Sequence, residues 1–117
     1  MKKLIFILFI TLVLFTKPAF SMSTASYYQI QDIWTWADYT KGVIKIRLKS
    51  PDSNTQNLCP TGFWIDKTNS SNAQLLSVAL SAYHTGTKVK IYASEAEDWS
   101  GLSSKECKLK LIVLEPK

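Results

Sequence analysis

Residues 43–49 read Val43-Ile44-Lys45-Ile46-Arg47-Leu48-Lys49. Ile44, Ile46 and Leu48 alternate with Lys45, Arg47 and Lys49, which is the period-two pattern of a strand with one buried face and one wet face. Upstream, Asp38 to Gly42 carries turn chemistry. Before it, Tyr27 to Trp36 is aromatic and β-branched enough to form a strand, with Tyr28, Ile30, Trp34 and Trp36 on one parity and Gln29 and Gln31 on the other. Residues 22–26 are small and polar and read as a loose terminus. Downstream, Ser50 to Thr61 is a polar loop holding Pro51, Pro60 and Cys59. Gly62 to Asp66 then forms a short strand whose Phe63 and Ile65 share a face.

The pattern changes period after residue 70. Ser71 with Gln74 three residues on makes a capping box. Leu75, Leu76, Ala79, Leu80 and Tyr83 follow at helical spacing as one apolar stripe, and Gly86 supplies a left-handed stop. Lys88 to Tyr92 is a strand with Val89 and Ile91 inward. Ala93 to Glu106 is a loop carrying Glu95, Glu97, Asp98 and Trp99. Lys108 to Leu114 is the last strand, with Leu109, Leu111 and Val113 on one face. The predicted class is mainly β with one helix (α+β). Five short strands with a helix between strands 3 and 4 is the order of an oligonucleotide/oligosaccharide-binding barrel. A different small α+β sheet under one covering helix is the alternative.

The amino end has its own logic. Met1-Lys2-Lys3 is a positive start, and Leu4 to Phe15 is twelve residues in which only Thr11 is polar. Ala19 and Ser21 place small residues three and one before a cut. This is the three-part secretory signal, and it is too short for a membrane anchor, which needs about 20 apolar residues. The expectation is a signal peptide over residues 1–21, cut after Ser21, with a cut after Ser23 as the alternative. The protein is then secreted or periplasmic, with a bacterial type of signal, and does not span a membrane after cleavage. Lys2, Lys3 and Lys17 leave with the signal, so the 14 basic side chains fall to 11 against 9 acidic. That balance gives no reason to expect a nucleic-acid partner.

Removing 21 of the 117 residues leaves 96, enough for one domain over residues 22–117. Cys59 and Cys107 are the two cysteines, both in the exported part. An even count in an oxidising compartment predicts a Cys59–Cys107 disulfide.

No motif calls for an enzyme, a metal or a cofactor. His84 is the single histidine, at the predicted helix end, where a surface or capping role suits it. Glu95, Glu97 and Asp98 share one loop, whereas glycosidase carboxylates face each other across a cleft. The aromatic residues carry more information. Trp34-Thr35-Trp36 puts two indoles on one side of a strand, Tyr39 follows in the turn, and Trp99 stands beside Asp98 in a polar loop. Flat rings next to polar groups suit sugar rings or protein interfaces. The candidate ligand-binding residues are therefore Trp36, Tyr39, Asp98 and Trp99. The bland alternative has Trp34 and Trp64 in the core and Trp36 covering a barrel end.

The run Ala73 to Tyr92, with Thr85-Gly86, Val89, Lys90, Ile91, Tyr92 and then Trp99, resembles a segment of the B subunits of the subtilase cytotoxin and typhoid toxin group. The run Cys59 to Asp66 (Cys-x-x-Gly-Phe-Trp-Ile-Asp) is similar to small secreted bacterial proteins of unknown function. The first resemblance implies an oligosaccharide-binding-type barrel, a homo-pentameric ring, cell-surface glycan binding and a separate catalytic partner. It transfers no glycan-contacting residue. The expected function is a non-enzymatic secreted binding module for glycans. The alternative is an envelope or extracellular protein-interaction module, such as an inhibitor or assembly partner.

Overall fold

The alternating stretch forms strand β3, Ile44–Leu48. Its apolar side chains are buried, and each neighbouring strand continues the same face. A computed structural model describes residues 21–37, 43–66 and 71–117. The other described strands are β1 (Met22–Ser23), β2 (Ile30–Thr35), β4 (Phe63–Ile65), β5 (Val89–Ser94) and β6 (Cys107–Leu114). The helices are α1 (Ser53–Leu58) and α2 (Ser71–Thr85). The signal-peptide segment, apart from Ser21, and Tyr39 lie outside the described residues.

The strands form one six-stranded sheet in the order β1-β5-β6-β4-β3-β2. Only β4 and β6 pair in parallel; the remaining neighbours are antiparallel. The α+β class holds, with six strands where the pattern predicts five. In this order the sheet is open, with β1 and β2 at its ends. Tyr28, in the connector between them, exchanges two 2.8 Å backbone hydrogen bonds with Val89 of β5. The predicted loose terminus is in fact tied down. Thr24 donates its N–H to the Ile91 carbonyl (2.9 Å) and its Oγ1 accepts from the Ile91 N–H (3.2 Å).

The expected single helix is replaced by two. Helix α1 interrupts the predicted polar loop because Asp52 caps it, its Oδ2 accepting from the Thr55 N–H at 3.0 Å. The Asp52 Oδ1 also accepts the Ala25 N–H (3.1 Å) and the Thr55 hydroxyl (2.8 Å). Burial alone would raise this carboxyl, but these hydrogen bonds outweigh it and hold Asp52 below its ordinary value. Helix α2 lies between β4 and β5 and ends as the sequence predicts. Gly86 takes φ +72°, and the Thr87 N–H returns to the Ala82 carbonyl at 3.0 Å in a Schellman turn.

The α2 stripe is rotated from the predicted one. Asn72, Ala79 and Ala82 are buried, Leu75, Leu76 and Val78 are half-buried, and Leu80 and Tyr83 are exposed at 48% and 51%. Small residues at 79 and 82 let the helix lie close to the core, which leaves the larger Leu80 and Tyr83 at its flank.

Two β-bulges override simple alternation. Along β2, Ile30 pairs with Leu48 and Asp32 pairs with Arg47, so Gln31 is the extra residue. Ile30 therefore stays in the core while Trp34 turns outward opposite Lys45. Along β6, Ala93 faces Leu109 and Tyr92 faces Leu111, so Lys110 is extra. Ile112 consequently takes the inward place that alternation assigns to Leu111 and Val113, and Leu111 is left exposed. The core is Ile44, Ile46, Phe63, Ile65, Val89, Ile91 and Leu109 with their neighbours. The Cys59–Cys107 disulfide joins it, with Cα atoms 5.4 Å apart and both cysteines buried.

Candidate functional site

The outward face of β2, β3, β4 and β6 carries the aromatic chemistry. Register places Trp34 opposite Lys45, Lys45 opposite Trp64, and Trp64 opposite Lys108. The result is an alternation of indoles and ammonium groups across four strands.

Trp34 is the most exposed tryptophan, at 44%, yet it is held from several directions. Its Nε1 donates to the Asp32 Oδ1 at 2.8 Å. Trp36 stacks on it with ring centroids 5.9 Å apart and planes inclined by 28°. The Lys45 ammonium and the Arg47 guanidinium lie over the ring at 5.2 and 5.1 Å from its centroid. Arg47 in turn grips Asp32 with two bonds, Nε to Oδ1 at 2.7 Å and Nη2 to Oδ2. The Arg47 hydrogen bond, against opposing burial and with help from the Trp34 N–H, holds the Asp32 carboxyl below its usual range.

A second aromatic pair sits further along. Trp99 packs on Trp64 at 5.1 Å with planes tilted by 50°, and Lys108 lies 5.3 Å over Trp64. The Trp64 indole donates to the Glu97 carbonyl at 2.7 Å. Glu97 pairs with Lys110 at 2.8 Å, and that bond keeps its carboxyl below its ordinary value. Between the two aromatic pairs, Lys45 reaches the fully buried Glu106 at 3.6 Å. The Glu106 Oε1 also accepts from the Thr61 hydroxyl (2.9 Å) and from the Ser104 hydroxyl. Among the described residues, the buried side-chain atoms Trp99 Nε1 and Glu106 Oε2 have no hydrogen-bond partner.

Beside Arg47 the surface opens into a cleft of about 360 Å3 between the end of β3, α1 and the start of β4. Gln31, Ser50, Gln56 and Thr61 line it with Arg47, and Cys59 and Gly62 are at its base. The extra residue of the β2 bulge thus lines this cleft, a common use of a bulge.

Of the four candidate residues, Trp36 belongs to the exposed indole pair. Trp99 belongs to the second pair but is half-buried. Asp98 serves the fold, since its Oδ1 accepts the Glu106 N–H at 2.9 Å and fastens the loop to β6. Tyr39 lies outside the described residues. The bland alternative fails for Trp34, which is not core. It holds in part for Trp64, which is buried, though on the outward face and beneath Trp99. Asp32, Lys45, Arg47 and Glu106 were not singled out from sequence. The strict alternation of β3 was the available signal for the two cations, because it already assigns Lys45 and Arg47 to the wet face. The acidic loop is dispersed among separate tasks. The Glu95 N–H bonds Ser21 (3.0 Å), Glu97 pairs Lys110 and Asp98 binds the Glu106 backbone.

His84 is exposed in the last turn of α2. Among the described residues no group of three or more His, Cys, Asp or Glu side chains could hold a metal ion. No helix among them is long and apolar enough to cross a membrane. Comparison with protein-family models, with curated proteins and with solved structures finds no match to this chain.

Proposed function

We propose that residues 1–21 direct export and that residues 22–117 act outside the cytoplasm as a non-enzymatic binding module for glycans. The observation that carries this reading is Trp34, a large indole fixed by Asp32, Trp36, Lys45 and Arg47 and still 44% exposed. An ordinary surface side chain loses rotamer entropy when a ligand binds. A ring already immobilised has lost it in advance, which is the general basis of a preorganised hot spot. The buried disulfide supports an oxidising compartment.

In this reading β1 and β2 act as one bent strand, which would close the open sheet into a five-stranded barrel of the oligosaccharide-binding type. The supporting contacts are the mutual Tyr28–Val89 bonds, which join that strand to β5 beyond the β1 pairing, and the parallel β4–β6 pair. In such a barrel the face that includes β3 and β4 is the usual ligand surface. A homo-pentameric ring with a separate catalytic partner follows only from the toxin-subunit resemblance. Exposed Leu80, Tyr83, Leu111 and Leu114 offer apolar surface for such contacts.

A broad glycan array probed with the purified mature protein tests the reading. Trp34→Ala should abolish the hits while changing stability by less than about 1 kcal/mol, since the ring is half in solvent. An array with no signal above background would sink the glycan claim.

One observation favours the alternative of a protein-interaction module. Leu76, Leu80 and Tyr83 of α2 form an apolar groove of about 340 Å3 with Ile33 and Ile44 of the sheet. Its signature would be a stable complex recovered from the host's own secretions and lost in Leu80→Asp.

A further inference from the structure

We infer that the ligand is an uncharged sugar, with one ring seated in the cleft beside Arg47 and the chain continuing over the Trp34 platform. This rests on the glycan-binding reading above and narrows it.

The first argument is electrostatic. The platform looks basic in sequence, but its cations are already matched: Arg47 by Asp32, Lys45 by Glu106 and Lys110 by Glu97. A carboxylate or sulfate arriving there meets fields largely cancelled within a few ångströms, and it would have to displace an internal acid to gain a strong bond. Lys108, a further cation of the face, is spread over the Trp64 ring and close enough to act on Glu97.

The second argument is the lining of the cleft. Gln31, Ser50, Gln56 and Thr61 present neutral amides and hydroxyls, and among the described lining residues Arg47 is the one charged side chain. The amides of Gln31 and Gln56 and the Ser50 hydroxyl can both donate and accept, as a polyol requires, while Thr61, whose proton is given to the Lys105 carbonyl and Glu106, can accept. At about 360 Å3 the space is at the small end of ligand pockets.

The third argument is the unused capacity of the ion pair between cleft and platform. Asp32 Oδ1 takes two donors, from Trp34 and Arg47, whereas Oδ2 takes one. A carboxylate oxygen can accept two, so among the described residues Oδ2 has a site left, and three of the five Arg47 N–H groups have no described partner. An acceptor next to a donor matches two neighbouring hydroxyls, which are each both donor and acceptor.

The experiment prints neutral glycans beside sialylated, uronate-bearing and sulfated ones and probes the mature protein at low and high salt, with Kd values then taken by calorimetry. The expected result is neutral hits whose Kd changes less than about twofold between roughly 0.05 and 0.5 M salt. Asp32→Asn keeps the shape but leaves Arg47 unmatched, so it should weaken neutral binding several-fold and admit anionic glycans. Gln56→Ala, on the exposed side of α1, should weaken neutral binding with the melting temperature held, which keeps the test alive if Asp32→Asn misfolds. Hits confined to anionic glycans, weakening steeply with salt, would overturn this inference and leave the glycan reading in place. Silence across both panels would overturn both.

Discussion

Replacing Cys59 and Cys107 together by alanine should remove a large share of the domain's stability. The bond closes a loop with a sequence separation of 48 residues. On the chain-entropy relation such a cross-link restricts the unfolded chain by about 4 kcal/mol at 25 °C. That is comparable to the whole stability of a small domain, which is typically about 5–15 kcal/mol. The bridge also ties α1 to the start of β6, beside the parallel β4–β6 pair, so its loss loosens that long-range junction. Urea denaturation followed by tryptophan fluorescence is the assay. With a slope of about 1–2 kcal/mol per molar, the midpoint should fall by roughly 2–4 M, and the slope should rise because the uncrosslinked unfolded chain exposes more surface. Both cysteines are buried, so a reductant should act on the native protein only as fast as it opens. A midpoint within about 0.5 M of the wild type would refute the reasoning, because a loop of this length cannot be that cheap to leave open on the entropic account.

Gly62→Ala should cost at least about 2 kcal/mol, read as a melting temperature lower by roughly 10 °C or more. Gly62 has φ +112°, and an added Cβ would approach the Ile46 carbonyl oxygen to 2.5 Å; an unchanged melt would contradict that geometry. On α2, Leu80→Ala should cost less than about 1 kcal/mol because the side chain is half exposed, while Ala79→Leu should cost about 1–3 kcal/mol by overpacking a fully buried position. The reverse ranking in thermal melts would restore the stripe predicted from sequence. Stability should also fall in acid. Asp32, Asp52 and Glu97 are all held below their ordinary values in the folded state. Their contribution is therefore complete above the unfolded carboxyl range near pH 4 and is lost as pH drops through the lower folded values. A denaturation midpoint flat from pH 6 to about pH 2.5 would refute this.

The sequence by itself determined whatever depends on neighbours a few residues apart. The alternation in Val43–Lys49 fixed which side of β3 is wet, the spacing after Ser71 fixed a helix, and Gly86 fixed where it stops. Two cysteines left one possible pairing within the chain. Other features were legible only in part. Asp52 is a good cap, but a six-residue helix between two prolines is too short to announce itself by periodicity. Tertiary structure alone decided the rest, because partner and register are non-local. Met22 and Ser23 carry no strand pattern and become β1 because β5 offers them an edge. The extra residues Gln31 and Lys110 fall where the register against the neighbouring strand shifts by one, and no local period marks them. The first of these bulges has the larger consequence. It keeps Ile30 in the core and turns Trp34 outward onto Lys45 and Arg47, so the candidate binding face owes its existence to a one-residue slip that alternation along the chain cannot reveal.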